Sequence, residues 1–189
     1  SEDTFILESP FVVIATQNPL EQEGTYTLPE AQLDRFMMKL KVDYPSKKEE
    51  KEILNRAAKT NKVEDVKKTV KTKNIIDAQK LIDEIYVDEK VEEYVLDLVF
   101  ATRQPKNYGL DDLSQLIKIG ASPRASINLI LAAKAKAFIE RRGYVIPEDV
   151  RYIGKDVLCH RLSLTYEAEA EELLEEDIVQ RLFETIEIP

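Results

Sequence analysis

Apolar residues follow two different spacings along this chain, and the change between them falls near Pro45. Residues 11–16 form an unbroken apolar run rich in β-branched residues, which is typical of a strand covered on both faces. A short helix that begins near Pro29 and a second strand over residues 37–42 follow it. This order of strand, loop, helix and strand predicts the last part of an α/β domain, over residues 1–45.

After Pro45 the spacing becomes helical, and a helical bundle is expected to fill most of the remaining chain. Ser46 and Glu49 form a capping-box pattern, which predicts a helix to about residue 59. We therefore assign residues 46–73 to a helix and a polar linker, and residues 74–189 to the bundle. The other predicted helix starts are Asn74, Asp88, the Ser122-Pro123 pair, Pro147 and a residue near Glu175. The helix that begins at Ser122-Pro123 is predicted to end at Arg142, before Gly143.

Composition and charge narrow the class of protein. The chain has 189 residues and a formal net charge of −9, which argues against broad binding to nucleic acid or to anionic membranes. No apolar run approaches the roughly 20 residues that a membrane-spanning helix needs, so no membrane insertion is expected. Cys159 is the single cysteine, which excludes an internal disulfide and fits a reducing cytoplasm. With His160 as the single histidine, no structural zinc site is expected, and Cys159 is predicted to pack in the core with His160 near the surface.

A nucleotide-binding centre cannot be complete within this sequence. A P-loop has glycines five residues apart in GxxxxGK[ST], and no two of the five glycines have that spacing. Residues 81–84, LIDE, resemble the apolar strand and acids that hold Mg²⁺, but the apolar residues around them follow a helical spacing. We therefore expect neither a Walker A nor a Walker B element. The lysines between residues 59 and 73 carry no interleaved aromatic residues and are interpreted as a solvated face.

Two polar residues near the predicted strands could act on a phosphate. Asn18 follows the carboxyl end of the first strand, where open α/β sheets bind ligands, although an Asn-Pro pair also turns a chain without any ligand. Arg35 closes the short predicted helix before the second strand. Its guanidinium could reach a γ-phosphate held by a neighbouring subunit, or it could only complement the helix dipole.

Arg124 stands at the second position of the long predicted helix. A cation is disfavoured there by the helix dipole, whereas anions are attracted to such an end. An arginine at this position would reinforce the binding of a phosphate. The alternative is a solvated arginine, or one paired with Asp111 or Asp112, and the sequence does not separate these hypotheses.

The chain resembles the MoxR family of AAA+ ATPases over nearly its whole length. Residues 15–36, ATQNPLEQEGTYTLPEAQLDRF, resemble the family's stretch from sensor 1 to the arginine finger. Residues 86–103, 120–150 and 156–162 resemble its lid and sensor-2 region. The resemblance implies an α/β remnant of an AAA+ nucleotide-binding core followed by an all-α helical lid bundle.

The resemblance also implies roles for the candidate residues. Asn18 would be sensor 1, Arg35 the arginine finger and Arg124 the nucleotide-binding sensor 2. The parent protein would use ATP and Mg²⁺, assemble as a homo-oligomeric ring, expected to be a hexamer, and remodel protein partners, including ones with von Willebrand A-type domains. Because Walker A and Walker B are absent, this chain is expected to be a fragment that neither binds ATP nor hydrolyses it alone.

Two other interpretations remain. A non-enzymatic helical interaction module with a small α/β cap would explain the bundle and the missing P-loop. It would not explain an asparagine at the end of a strand together with an arginine at the start of a helix. A subunit of the magnesium-chelatase type shares the overall plan, but the stretch from residue 21 to residue 36 is more similar to the MoxR family.

Overall fold

The structure is a computed structural model that describes residues 5–17, 28–59 and 67–189. Within these residues helices dominate, and regular strands are short. The α-helices are α1 (Glu30–Leu33), α2 (Lys47–Ala57), α3 (Thr72–Asp83), α4 (Glu89–Arg103), α5 (Leu113–Leu116), α6 (Pro123–Ile139), α7 (Pro147–Leu158), α8 (Tyr166–Ala170) and α9 (Glu175–Thr185), and 3₁₀ turns cover Pro105–Tyr108 and Cys159–Arg161.

The hydrophobic core lies among α4, α6, α7 and α9. Their facing sides are fully buried at residues such as Leu98, Leu129, Val157 and Leu182. Glycine allows α7 and α9 to approach closely, because a Cβ on Gly154 would lie 2.4 Å from the ring of Phe183. By contrast, α2 and α3 bury none of their residues and lie outside this core.

Most predicted helix starts are confirmed. The capping box of α2 is complete. The Glu49 amide donates to the Ser46 hydroxyl, and the Ser46 amide donates to the Glu49 carboxylate. The Asp88 carboxylate accepts from the Lys90 amide at 3.0 Å and caps α4. Ser122 and Pro123 start α6 as N-cap and first residue. The predicted starts of α7 at Pro147 and of α9 near Glu175 also agree.

Two helix boundaries were predicted wrongly. Helix α3 begins at Thr72, so Asn74 lies inside it rather than capping it. Helix α6 ends at Ile139 and not at Arg142, because the chain turns into the left-handed region at Arg141, where φ is 58°. Gly143 therefore does not end the helix.

The two predicted strands over residues 11–16 and 37–42 are not formed. Within the described residues no neighbouring strand lies beside either of them, and an extended segment without a partner leaves its ladder hydrogen bonds unmade. Apolar side chains of the first segment are exposed, including Val12 at 70% and Ile14 at 86%. The strands that do form, β1 (Ile117–Ile119) and β2 (Ser163–Leu164), were not predicted and pair in an antiparallel arrangement.

The structure also bears on the LIDE stretch, on the lysine-rich segment and on the expectation about membrane-spanning helices. Residues 81–83 of the LIDE stretch belong to α3, which confirms that this stretch is not a Walker B strand. The described lysines of the basic segment, 59, 67, 68, 71 and 73, are all exposed, as a solvated face requires. None of the described helices is both long enough and apolar enough to cross a bilayer.

Candidate functional site

The turn that follows α1 is docked on the helical bundle through the carboxylate of Asp34. Helix α1 is a single turn, and the chain bends directly after it over residues 34–37. The Ser122 hydroxyl donates to both Asp34 oxygens at 2.8 and 2.9 Å. Nη1 of Arg124 donates to Oδ2 at 3.0 Å, and Nε of Arg161 to Oδ1 at 3.2 Å. One carboxylate therefore joins this turn, the start of α6 and the 3₁₀ turn that follows α7.

Arg161 is the buried member of this cluster. Its side chain has no exposed surface, and its nitrogens also donate to backbone oxygens. Nη2 bonds Asp34 O at 3.1 Å and Phe36 O, while Nη1 bonds Met37 O at 3.2 Å and Val157 O. A guanidinium has five N–H donors in a rigid fork, and here they are aimed at the turn and at the last turn of α7.

The electrostatics of the cluster favour the ionised form of Asp34. Burial acts to raise the pKa of Asp34, but the hydrogen bonds from Ser122 and Arg124 and the charge of Arg161 outweigh it, so the pKa lies below its ordinary value. Burial lowers the pKa of Arg161, an effect that Asp34 opposes. A guanidinium stays protonated even so. The cluster is therefore one carboxylate shared by a buried arginine and a half-exposed one.

Arg124, the predicted sensor 2, lies at the exposed edge of this cluster. It is the second residue of α6, as predicted, and its amide donates to the N-cap hydroxyl of Ser122 at 3.2 Å. The sequence offered Asp111 or Asp112 as its ion-pair partner, and both assignments are wrong. Asp112 pairs with Arg181 at 2.6 Å, and Arg124 pairs with Asp34. The Arg124 side chain is 55% exposed, so its guanidinium is open to solvent while it binds Asp34.

Arg35, the predicted arginine finger, follows Asp34 directly and is exposed. Its backbone amide donates to Gln32 O at 3.2 Å, so its place in the turn is fixed even though its side chain faces solvent. The structure thus brings the Arg35 turn and the Arg124 end of α6 together through Asp34. Asn18, the predicted sensor 1, lies outside the described residues.

His160 and Cys159 sit beside the same turn. Nε2 of His160 lies 3.1 Å from Phe36 O, so this side chain is half-buried and not near the surface as predicted. Burial lowers the pKa of His160, although the hydrogen bond to Phe36 opposes this. Cys159, which was predicted to pack in the core, is only partly buried and packs against the core. Burial and the charges of Glu176 and Glu175 raise the pKa of its thiol to about 12.

Arg35 and Arg124 are both exposed in the described part of the chain. A groove of about 450 Å³ lies at the end of α4 beside Arg103, Lys106 and Lys118. Neither Arg35 nor Arg124 lines it. Among the described residues, no group of acids, histidines and cysteines is placed to hold a metal ion.

Asp34 and Arg161 were not predicted from the sequence. Asp34 precedes Arg35, and its role as an acceptor depends on residues far along the chain. Arg161 carried a usable signal, because an arginine between apolar residues in VLCHRLSL must find acceptors when its helix packs. That signal does not say which acceptors it finds.

Two family models match the chain. The model for the AAA lid domain matches residues 112–182, which run from the residue before α5 into α9. The model for the ATPase family associated with various cellular activities matches residues 1–38, including the turn with Asp34 and Arg35. The two matches fall on the two sides of the cluster around Asp34.

Two bacterial relatives match almost all of the chain. The chain is 44% identical over 186 residues to chaperone MoxR1 of Mycobacterium tuberculosis, covering 98% of this chain and 49% of the relative. It is 39% identical over 186 residues to the uncharacterized protein YeaC of Bacillus subtilis, covering 98% of this chain and 55% of the relative. The chain thus spans about half the length of these relatives.

The fold agrees with a solved structure over its whole length. A crystal structure of an inferred ATPase from Cytophaga hutchinsonii superposes with a TM-score of 0.93 at 44% identity, covering all of this chain and 57% of that one. This match confirms the predicted fold class, an AAA+ core remnant followed by a helical lid. Together with the family models and the relatives, it shows that the chain belongs to the MoxR family of AAA+ ATPases.

Proposed function

We propose that this chain is the sensor and lid part of a longer MoxR-type ATPase that couples ATP hydrolysis to the remodelling of partner proteins. Residues 1–45 belong in this proposal to the AAA+ core, residues 46–73 to the linking helix and linker, and residues 74–189 to the lid. The main support is the Asp34 cluster, which places the turn of Arg35 against the helix end of Arg124. ATP and Mg²⁺ are bound by the P-loop and Walker B acids of the longer protein.

In this proposal Arg124 serves the nucleotide as sensor 2. Its guanidinium lies at the start of α6, where the helix dipole also attracts an anion. In the absence of nucleotide it pairs with Asp34, and it exchanges this carboxylate for a phosphate oxygen when ATP binds. The affinity for ATP then depends on Arg124, because a charge-assisted bond to phosphate is among the stronger hydrogen bonds in proteins.

Arg35 serves as the arginine finger across the boundary between subunits. A planar and permanently charged fork can stabilise the charge that develops on the γ-phosphoryl group. Asn18 would orient the attacking water as sensor 1. The assembly is a homo-oligomeric ring, with six subunits proposed, and its partners are proteins, including ones with von Willebrand A-type domains, in the cytoplasm.

The action of Arg35 in trans is tested by mixing two inactive variants of the longer protein. Arg35→Ala alone and a P-loop variant alone should each hydrolyse ATP poorly, and their mixed rings should recover part of the activity. Recovery is expected because some interfaces then combine an intact P-loop with an intact Arg35. If the mixed rings form but stay inactive, Arg35 does not act across the interface.

The role of Arg124 is tested by nucleotide affinity. Arg124→Ala in the longer protein should weaken ATP binding, by about tenfold or more if a charge-assisted hydrogen bond is lost. Arg181→Ala is the matched control, since Arg181 is as exposed as Arg124 but pairs with Asp112 elsewhere. Equal affinities in the two variants would contradict the assignment. The 189-residue chain alone should show no tight, Mg²⁺-dependent binding of ATP.

A further inference from the structure

A single buried side chain holds the turn of Arg35 on the lid. The guanidinium of Arg161 contacts Asp34, Phe36 and Met37, which precede it by 124 to 127 residues in the chain. Three of these contacts are to backbone oxygens, so they fix the path of the turn itself and do not depend on its side chains. The residues on both sides of Arg35 are therefore bound by one arginine of the lid.

The docking continues beyond the turn with contacts that do not involve Arg161. The Lys39 amide donates to Asp156 O, in α7, at 2.8 Å. Lys41 pairs with Glu176 of α9, and Met38 packs partly buried against the core. Segment 34–41 thus lies beside the C-terminal end of α7 and the start of α9. Hydrogen exchange of the Lys39 amide therefore reports whether this segment remains docked.

The geometry of Arg161 shows more than a contribution to stability. Well-packed apolar residues often stabilise a fold as well as a buried ion pair does. An arginine adds direction, because its rigid fork matches acceptors only in one arrangement. Here that arrangement ties Asp34, and with it Arg124, to the same turn.

We infer that Arg161 is a positioning residue for Arg35, because it fixes the turn of Arg35 against the lid beside Arg124. The catalytic consequence of this inference rests on the proposed function, whereas the docking of the turn does not. The place of Arg35 then depends on a side chain that lies more than 120 residues away in the chain.

The docking is tested by hydrogen exchange in the 189-residue chain. Arg161→Met should speed exchange of the Lys39 amide by about 10- to 100-fold relative to the Leu129 amide in the core, as the loss of hydrogen bonds to a charged group predicts. Arg142→Met is the matched control, because it removes another ion pair of low exposure, to Asp149, away from the turn. Arg142→Met should change the exchange rates of the Lys39 and Leu129 amides by the same factor. An unchanged ratio in Arg161→Met overturns the inference.

The positioning role is tested by hydrolysis in the longer protein. Arg161→Met should lower kcat for ATP hydrolysis to within about tenfold of Arg35→Ala, itself about 10³-fold below the parent, with little change in KM. Arg161→Lys should restore part of kcat, and Arg161→Met should add little in the background of Arg35→Ala. If the two losses multiply, Arg161 does not act through Arg35 and this inference alone fails. If Arg35→Ala hydrolyses ATP normally, the assigned role of Arg35 fails and this positioning role fails with it, while the exchange experiment still reports on the docking.

Discussion

The carboxylate of Asp34 offers the sharpest test of the cluster. Asp34→Asn keeps the shape of the side chain but removes its charge and places an NH₂ donor among the donors of Ser122, Arg124 and Arg161. The buried guanidinium of Arg161 then loses its only carboxylate partner among the described residues. We expect the substitution to lower the free energy of unfolding of the 189-residue chain.

The expected size follows from the burial of the pair. The side chain of Asp34 is 15% exposed and that of Arg161 is 0% exposed. Removing one partner of a buried ion pair costs about 3–5 kcal/mol. Arg161 keeps its backbone acceptors in this variant. We therefore expect the free energy of unfolding to fall by the lower value of this range, about 3 kcal/mol. Asp112→Asn is the matched control, because the pair of Asp112 with Arg181 is half-exposed and should contribute no more than about 1 kcal/mol.

Urea unfolding followed by circular dichroism at neutral pH measures both variants. The cluster also predicts how the free energy of unfolding falls at acidic pH. Because the pKa of Asp34 is lower in the folded chain, its stabilisation is present above the ordinary pKa of 3.8 and is lost as the pH falls through the folded value. In Asp34→Asn this loss should be absent. If Asp34→Asn and Asp112→Asn unfold at the same urea concentration, the cluster does not hold the turn on the lid.

The remaining predictions concern neighbouring parts of the lid. Gly120→Ala should cost about 1–3 kcal/mol in urea unfolding, because its Cβ would lie 2.5 Å from Thr102 O in α4. Gly143→Ala should leave the free energy of unfolding unchanged, because nothing lies within 4 Å of a Cβ at this position. Equal losses in the two variants would refute the close approach of Gly120 to Thr102. Because the pKa of His160 is lowered on folding, the melting temperature should fall as the pH drops below the ordinary 6.5. His160→Gln should remove that fall; an unchanged slope would exclude His160 as its cause. The Cys159 thiol, with a pKa of about 12, should react with iodoacetamide at pH 8 far more slowly folded than unfolded. Equal rates would show that it is not shielded.

Local signals in the sequence predicted the helices well. The hydrogen-bonding side chains of Ser46, Asp88 and Ser122 act on amides two or three residues away, so their effect can be read from the sequence alone. The end of α6 was missed because a left-handed residue ended the helix, and that residue is Arg141 rather than a glycine. Nothing in the side chain of an arginine indicates such a conformation.

The strands and the site depended on distant partners. Residues 11–16 have the composition of a strand, but a strand forms only where another lies beside it. The position of Arg124 at a helix start was predicted correctly, whereas its partner was not, because Asp34 is 90 residues away in the chain. Arg161 is connected to the turn over an even longer separation. Local patterns therefore identified the candidate arginines, and only the fold showed what joins them.

We propose that Arg35 and Arg124, with Asn18, act on one triphosphate that the longer protein holds. A structure of the assembled ring with a non-hydrolysable ATP analogue would show whether they do. We expect a guanidinium nitrogen of each arginine at about 2.7–3.2 Å from a phosphate oxygen, in its own subunit or in the adjacent one. If both arginines lie far from every phosphate in the ring, and Arg124 still binds Asp34, this proposal is wrong.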